Sequence, residues 1–187
     1  IMPVISFLSF SQPYVLTEII GIPPERHGQV TGLLITMHEI VVLALVSFAG
    51  GLSDRVGRRP LYATGTLVAG AGFAIYGMAS TVGDLYAGRF VYAIGLAFVG
   101  VMIAVTAADY PAESSRGKIA GVSGVLNGLG IGLATALFAA LPTIFKAQGM
   151  TSAEAGRYML FVMAGLAAFT AIVMQLGLKG GTPTGHG

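Results

Sequence analysis

Six long apolar stretches dominate this sequence and restrict what the chain can fold into. Each is close to the ~20 residues that a helix needs to cross the hydrocarbon core of a bilayer. Membrane β-strands are only ~10 residues long and alternate apolar with polar side chains, so strands do not fit this pattern. The sequence predicts an all-α integral membrane protein in which residues 1–179 form one domain and 180–187 a linker or tail. The predicted transmembrane helices cover about 1–20, 29–50, 62–81, 85–107, 119–141 and 156–178.

The composition excludes several classes of protein. Hydrophobic residues make up 55% of the chain and charged residues 10%, with a mean hydropathy of +0.81. A soluble domain carries about 25% charged residues, so a small soluble enzyme is excluded. The chain has no cysteine, and we therefore expect no disulfide framework and no thiolate metal site. We also expect no cofactor. The net charge of +2 gives no reason to expect a nucleic-acid partner.

The distribution of lysine and arginine between the loops predicts the orientation in the membrane. Six basic residues fall on one side: Arg55, Arg58, Arg59, Arg116, Lys118 and Lys179. Three fall on the other: Arg26, Lys146 and Arg157. Since cytoplasmic loops carry the excess of positive charge, the side with six should be cytoplasmic. We expect a plasma (inner) membrane protein with both chain ends in the cytoplasm.

The loop between the second and third helices carries the most specific pattern in the chain. It reads Gly-Gly-Leu-Ser-Asp-Arg-Val-Gly-Arg-Arg over residues 50–59. Glycine suits a tight turn because it adopts positive φ, and we expect glycines at the bends. Asp54 can accept hydrogen bonds at the start of the third helix or pair with a neighbouring arginine. A simple basic loop that stops translocation is the alternative interpretation.

This loop resembles the G-x-L-x-D-R-x-G-R-R/K signature of the major facilitator superfamily. The matching positions are Gly50, Leu52, Asp54, Arg55, Gly57, Arg58 and Arg59. The fourth helix, from Arg89 to Gly95, is similar to the family's R-x-x-x-G-x-G pattern, with Ala93 in place of the first glycine. Asp109-Tyr-Pro111, followed by Arg116-Gly117, resembles the segment usual between helices four and five.

The resemblance implies a fold and a function. It implies the N-terminal six-helix half of a transporter, truncated at its start and built from two inverted three-helix repeats. Such a protein moves a small-molecule substrate, with protons as a possible coupling ion, by rocking against a missing six-helix half. The chain has no ATP-binding P-loop, so an ion gradient would supply the energy. Asp54 and the surrounding arginines would form a cytoplasmic gate together with Asp109 and Arg116.

Polar residues at membrane depth are costly and are therefore functional candidates. These residues are Gln12, Glu18, His38, Glu39, Arg89 and Asn127. Adjacent helical residues point ~100° apart, so at least one of His38 and Glu39 should face the bundle or a central cavity. The alternatives are local pairing for these two, an interfacial position for Glu18, and snorkelling to the headgroups for Arg89. Arg89 matches an arginine of the family's pattern in the fourth helix. The resemblance implies a link to proton transfer, which this arginine has in some branches of the family.

The fifth helix carries a stripe of glycines on one face: Gly121, Gly124, Gly128 and Gly132. Small residues at such spacing let helix backbones approach closely. We interpret the stripe as a packing seam against the missing half or against helix two. In the family's antiporters the signature of the fifth helix includes a Gly-Pro pair, and the absence of proline from residues 119–141 weakens the drug/proton antiporter interpretation.

Two alternatives from other classes remain at this stage. Gly121-Val-Ser123-Gly124 matches the short G-x-S-G pattern of a rhomboid-type intramembrane serine protease. Such a nucleophile needs a histidine base within hydrogen-bond reach, and the sixth helix has no histidine. The second alternative is a membrane scaffold that does not transport. We therefore expect the protein not to be an enzyme.

Overall fold

The computed structural model describes residues 2–109 and 116–177, and none of them lies in a strand. This confirms the all-α prediction. The helices are α1 (Met2–Tyr14), α2 (Pro24–Val56), α3 (Arg58–Met78), α4 (Val82–Asp109), α5 (Arg116–Ala147) and α6 (Ser152–Gly177). Within the described residues, α2 to α6 are each long and apolar enough to cross a membrane. The predicted tail at 180–187 lies outside the described residues.

Helices α2 to α6 each begin three to five residues before the apolar stretches that predicted them. α2 has 33 residues and begins at Pro24, five residues before the predicted start. A proline at the first helical position has no amide that needs a partner, so Pro24 suits this start. Polar residues such as Glu25 and Arg26 continue the helix outside the hydrocarbon, where water satisfies them. Hydropathy therefore marks the membrane-embedded part of each helix and not its ends.

The first helix changes geometry halfway along its predicted span. After Tyr14 the chain continues as a π-helical segment, Val15–Ile20, and Pro13 lies just before the change. Proline has no N–H for the helical ladder and its ring clashes with the preceding turn, so a wider turn follows naturally. Gly21 ends the segment with φ +73°, a conformation that glycine adopts without strain.

The centre of the bundle is formed by α3, which packs along α4 and α6, while α2 packs along α4. Glycines make the α3–α4 contact close. A Cβ added to Gly72 would lie 2.6 Å from Cβ of Tyr92, and one added to Gly95 would overlap the backbone of Ala69 and Gly65. The fifth helix packs along α1 and α6 and leaves a long apolar face exposed.

Two short turns on one side of the bundle are fixed by reciprocal hydrogen bonds. In the α3–α4 turn the backbone N–H groups of Ser80 and Thr81 donate to Oδ2 of Asp84, at 2.9 and 2.8 Å. In the α5–α6 turn the N–H of Thr151 donates to Oε2 of Glu154 at 2.8 Å. In both turns the threonine hydroxyl accepts a bond from the acid's own N–H. These are capping boxes, and Asp84 therefore helps to cap the amino end of α4.

Candidate functional site

The signature segment forms a turn of a single residue between two long helices. α2 ends at Val56, α3 begins at Arg58, and Gly57 between them has φ +91°. The N–H of Gly57 donates to the carbonyl of Ser53 at 3.0 Å and closes the end of α2. Gly50 and Gly51 lie inside α2, which corrects the expectation of glycines at each bend. Gly57 alone supplies the conformation that the turn requires.

Asp54 lies in the last turn of α2 and is exposed. The position that caps α3 is Gly57, which offers no side chain, so the interpretation of Asp54 as a cap of the third helix is wrong. Carbonyl groups converge at the carboxyl end of a helix, and a negative charge there is unfavourable. No hydrogen bond or ion pair to Asp54 occurs within residues 2–109 and 116–177. The carboxylate is therefore available to a group from elsewhere.

The three arginines of the signature follow Asp54 closely in sequence, at positions 55, 58 and 59. Arg55 and Arg58 are exposed, and Arg59 is half-buried with an Nε that hydrogen-bonds to no described group. Beside them the last turns of α2 form a depression of about 230 Å³. A Cβ added at Gly50 or Gly51 would meet no atom within 4 Å. This end of α2 therefore has room for a further segment.

The other two predicted gate residues mark the ends of neighbouring helices. Asp109 is the last residue of α4 and Arg116 is the first of α5. The backbone connectivity brings both to the same side of the bundle as the α2–α3 turn. Their side chains and residues 110–115, including Pro111, lie outside the part that the structure describes.

A second group of polar residues lies inside the bundle, where α2, α3 and α4 meet. Arg89 is 3% exposed and lies about 10 Å along α4, so it does not snorkel to the surface. Its Cζ lies 5.8 Å from the ring centroid of Tyr92. The ring of His38 also stacks on Tyr92, with 5.8 Å between the two ring centroids. The ring of Tyr76 packs against Gly88, next to Arg89.

The remaining polar residues predicted at membrane depth do not form one cluster. His38 faces the interior with 8% exposure, whereas Glu39 beside it is exposed, as their angular separation requires. Glu18 is exposed on the π-helical segment. Gln12 is buried and Asn127 is half-buried, and Nε2 of the former and Oδ1 of the latter hydrogen-bond to no described group.

The structure contains a cavity of about 220 Å³ between α1 and α5 that the sequence analysis missed. Its walls are mostly apolar, and they include Phe7, Phe10, Tyr14, Phe138 and Met159. The Tyr14 hydroxyl donates to the carbonyl of Ser152 at 2.7 Å and so joins α1 to the start of α6. The wall residues come from helices far apart in sequence, so no local pattern could reveal them.

Within the described residues, nothing lies close to the glycine stripe on α5. A Cβ at Gly121, Gly124, Gly128 or Gly132 would meet no atom within 4 Å. A seam against another part of the protein therefore stays a prediction. The close glycine contacts occur between α3 and α4, at Gly65, Gly72, Gly88 and Gly95. The seven-residue spacing of each pair is the signal that could have predicted this seam.

The long apolar helices and the one-residue signature turn together define a polytopic helical membrane protein. The Major Facilitator Superfamily model matches residues 2–186, so the chain belongs to this family. This confirms the resemblance found in the loop between the second and third helices.

Relatives with assigned names fall into three groups. Magnetosome protein MamZ of Magnetospirillum gryphiswaldense is 32% identical over 127 residues, which cover 63% of this chain and 20% of MamZ. The class E tetracycline resistance protein of Escherichia coli is 32% identical over 131 residues, covering 70% of this chain and 30% of that protein. Multidrug transporter protein MdtP of Bacillus subtilis is 31% identical over 111 residues, which cover 57% of this chain and 20% of MdtP. The matches thus span less than a third of these relatives' length. No solved structure matches the chain.

Proposed function

We propose that this chain is the N-terminal six-helix part of a secondary transporter that moves a small molecule by alternating access. The observation that carries this proposal is the complete signature at the α2–α3 turn of a chain that belongs to the Major Facilitator Superfamily. Relatives named for tetracycline resistance and multidrug transport support it. An ion gradient, with protons as the simplest coupling ion, would supply the energy.

The exposed apolar surface of the bundle supports the proposal that a partner of similar size packs against it. Apolar side chains are exposed along α2 and α5, among them Leu43, Leu129 and Leu133. Lipid can cover such faces, but it does not suit Glu39, an exposed carboxylate in the middle of α2. We propose that a second six-helix half faces α2 and α5 across a central cavity. In this scheme α1–α3 and α4–α6 are the two inverted repeats.

The gate function follows from charge and position. Asp54 and its arginines lie at the end of α2 that the basic loops assign to the cytoplasm. A contact that forms in one state and breaks in the other shifts the equilibrium between the two states. We propose that Asp54 makes such a contact when the cytoplasmic side is closed. Plasma-membrane location with cytoplasmic chain ends belongs to the same proposal.

We propose that the chain has no enzymatic activity. Ser123, the candidate protease nucleophile, is exposed on α5. Within the described residues no histidine hydrogen-bonds to it, although a serine nucleophile requires such a base.

The test is transport by the full-length protein in liposomes with an imposed proton gradient. A panel of small organic compounds, tetracycline among them, is offered as radiolabelled substrate. We expect at least one compound to accumulate above the level of protein-free liposomes, and a protonophore to abolish that accumulation. Accumulation that a protonophore leaves unchanged would contradict proton coupling, and no accumulation of any compound would contradict the transport proposal.

A further inference from the structure

The guanidinium of Arg89 is a charge in the bundle interior without a counter-charge. Its side chain is 3% exposed, and Nε and Nη1 are both buried without a hydrogen-bond partner. No ion pair to Arg89 occurs in the described part of the chain. Asp84, five residues before Arg89, caps α4, and Glu39, next to His38 on α2, is exposed. A buried ion without compensation costs several kcal/mol.

The groups around Arg89 do not supply that compensation. The Tyr92 ring, 5.8 Å from Cζ, offers a cation–π contact worth about 0.5–2 kcal/mol. This is less than the cost of burying the charge. The Tyr76 hydroxyl lies beside Arg89 and interacts with it, but neither this hydroxyl nor Nδ1 of His38 has a hydrogen bond of good geometry within the described residues. The described part of the cluster therefore holds free N–H groups of Arg89 and no carboxylate acceptor.

We propose that Arg89, together with Tyr76 and His38, binds a small monovalent anion in the interior of the bundle. An anion accepts hydrogen bonds without donating any, so it satisfies the free N–H groups of Arg89 and the Tyr76 hydroxyl together. It also neutralises the buried charge. The chemistry fits an inorganic anion such as chloride and the carboxylate group of a small organic acid alike. Binding does not depend on transport, so it is measurable even if the proposed function fails.

The experiment is thermal unfolding of the purified full-length protein at constant ionic strength. Sodium chloride or sodium acetate replaces the sodium salt of a bulky sulfonate buffer, whose anion is too large for the interior. A ligand that binds the native state raises the unfolding midpoint in a saturable way. We expect a rise of several degrees for wild type with chloride or acetate. A response to both salts assigns the site to inorganic anions, and a response to acetate alone assigns it to an organic carboxylate.

Substitutions separate this site from a general salt effect. Arg89→Gln should remove the anion response, and in the bulky buffer its midpoint should equal or exceed that of wild type, because a costly charge is gone. Arg89→Lys keeps the charge and Tyr76→Phe removes one donor, so both should respond with weaker apparent affinity. Arg26→Gln, at an exposed position, should respond like wild type.

A different set of results would overturn the proposal. Wild type that responds to neither salt, combined with an Arg89→Gln midpoint well below wild type, would mean that another part of the protein pairs with Arg89. Equal responses of wild type and Arg89→Gln would mean that the anions act elsewhere. If Arg89→Gln does not fold, the responses of Arg89→Lys and Tyr76→Phe decide the question.

Discussion

Asp54 is placed where an acidic residue has no local benefit. It lies in the last turn of α2, among unpaired carbonyl groups and beside Gly57, whose positive φ sets the turn. A carboxylate at a helix carboxyl end costs about 0.3–1 kcal/mol, and within the described residues no arginine pairs with Asp54 to offset this cost. A residue that does not stabilise its own helix is a good candidate for a contact that changes during function.

Asp54→Asn should separate function from stability in the full-length protein. We expect transport to slow at least tenfold, since 1.4 kcal/mol of lost differential contact corresponds to a factor of ten. Substrate affinity should change less, because the turn is at the surface. The melting temperature should stay unchanged or rise slightly, because the unfavourable charge is removed. Uptake rate, equilibrium binding and thermal unfolding measure the three quantities.

The control for this variant is Glu25→Gln in the first turn of the same helix, where a negative charge is favourable. It should lower stability slightly and leave the transport rate unchanged. A normal uptake rate for Asp54→Asn would contradict the gate proposal. So would a loss of uptake that merely follows a loss of folded protein.

At the scale of helices, the sequence predicted the approximate positions of α2 to α6, the described helices that are long and apolar enough to cross a membrane. The hydrocarbon core demands about 20 apolar residues, so hydropathy alone was sufficient. It could not predict the π-helical segment Val15–Ile20, because the change depends on how the chain accommodates Pro13. The seven-residue spacing of Gly65 and Gly72, and of Gly88 and Gly95, could have indicated two close-packing faces, but which helix packs on which depends on tertiary structure. The T-x-x-D/E spacing of the two capping boxes, by contrast, could have been read directly.

The α3–α4 seam is tested by a single methyl group. Gly95→Ala should destabilise the protein by about 1–3 kcal/mol or more, because the new Cβ would overlap the backbone of Ala69, which cannot move aside. Gly100→Ala is the matched control on the same helix, where a Cβ would meet no atom within 4 Å. It should be neutral or stabilise α4, since alanine is the better helix former by about 0.8–1 kcal/mol. Thermal unfolding in detergent compares the two, and equal midpoints would contradict the close contact.

The candidate sites illustrate what the sequence could and could not predict for the whole molecule. The signature turn is local, so its residues could be identified from their resemblance to the family's signature. The cluster of Arg89, His38 and Tyr76 joins three helices, and the α1–α5 cavity joins residues more than a hundred positions apart. Sequence reasoning identified the costly polar groups among them but could not bring them together. The partner of the α5 glycine stripe could not be predicted either, because a local pattern does not determine which helix packs on it.

The glycine stripe tests whether a second half covers α5 in the full-length protein. Gly128 and Gly165 are both exposed, and a Cβ at either would meet no atom of this chain within 4 Å. A leucine at either position therefore does not disturb the six-helix bundle itself. If a second half packs on the stripe, Gly128→Leu forces two backbones apart and should reduce transport and the yield of monodisperse protein severalfold. Gly165→Leu, on α6, should resemble wild type because lipid accommodates the side chain. Indistinguishable behaviour of the two variants in transport and size-exclusion chromatography would mean that α5 faces lipid, and the proposed arrangement of the two halves would be wrong.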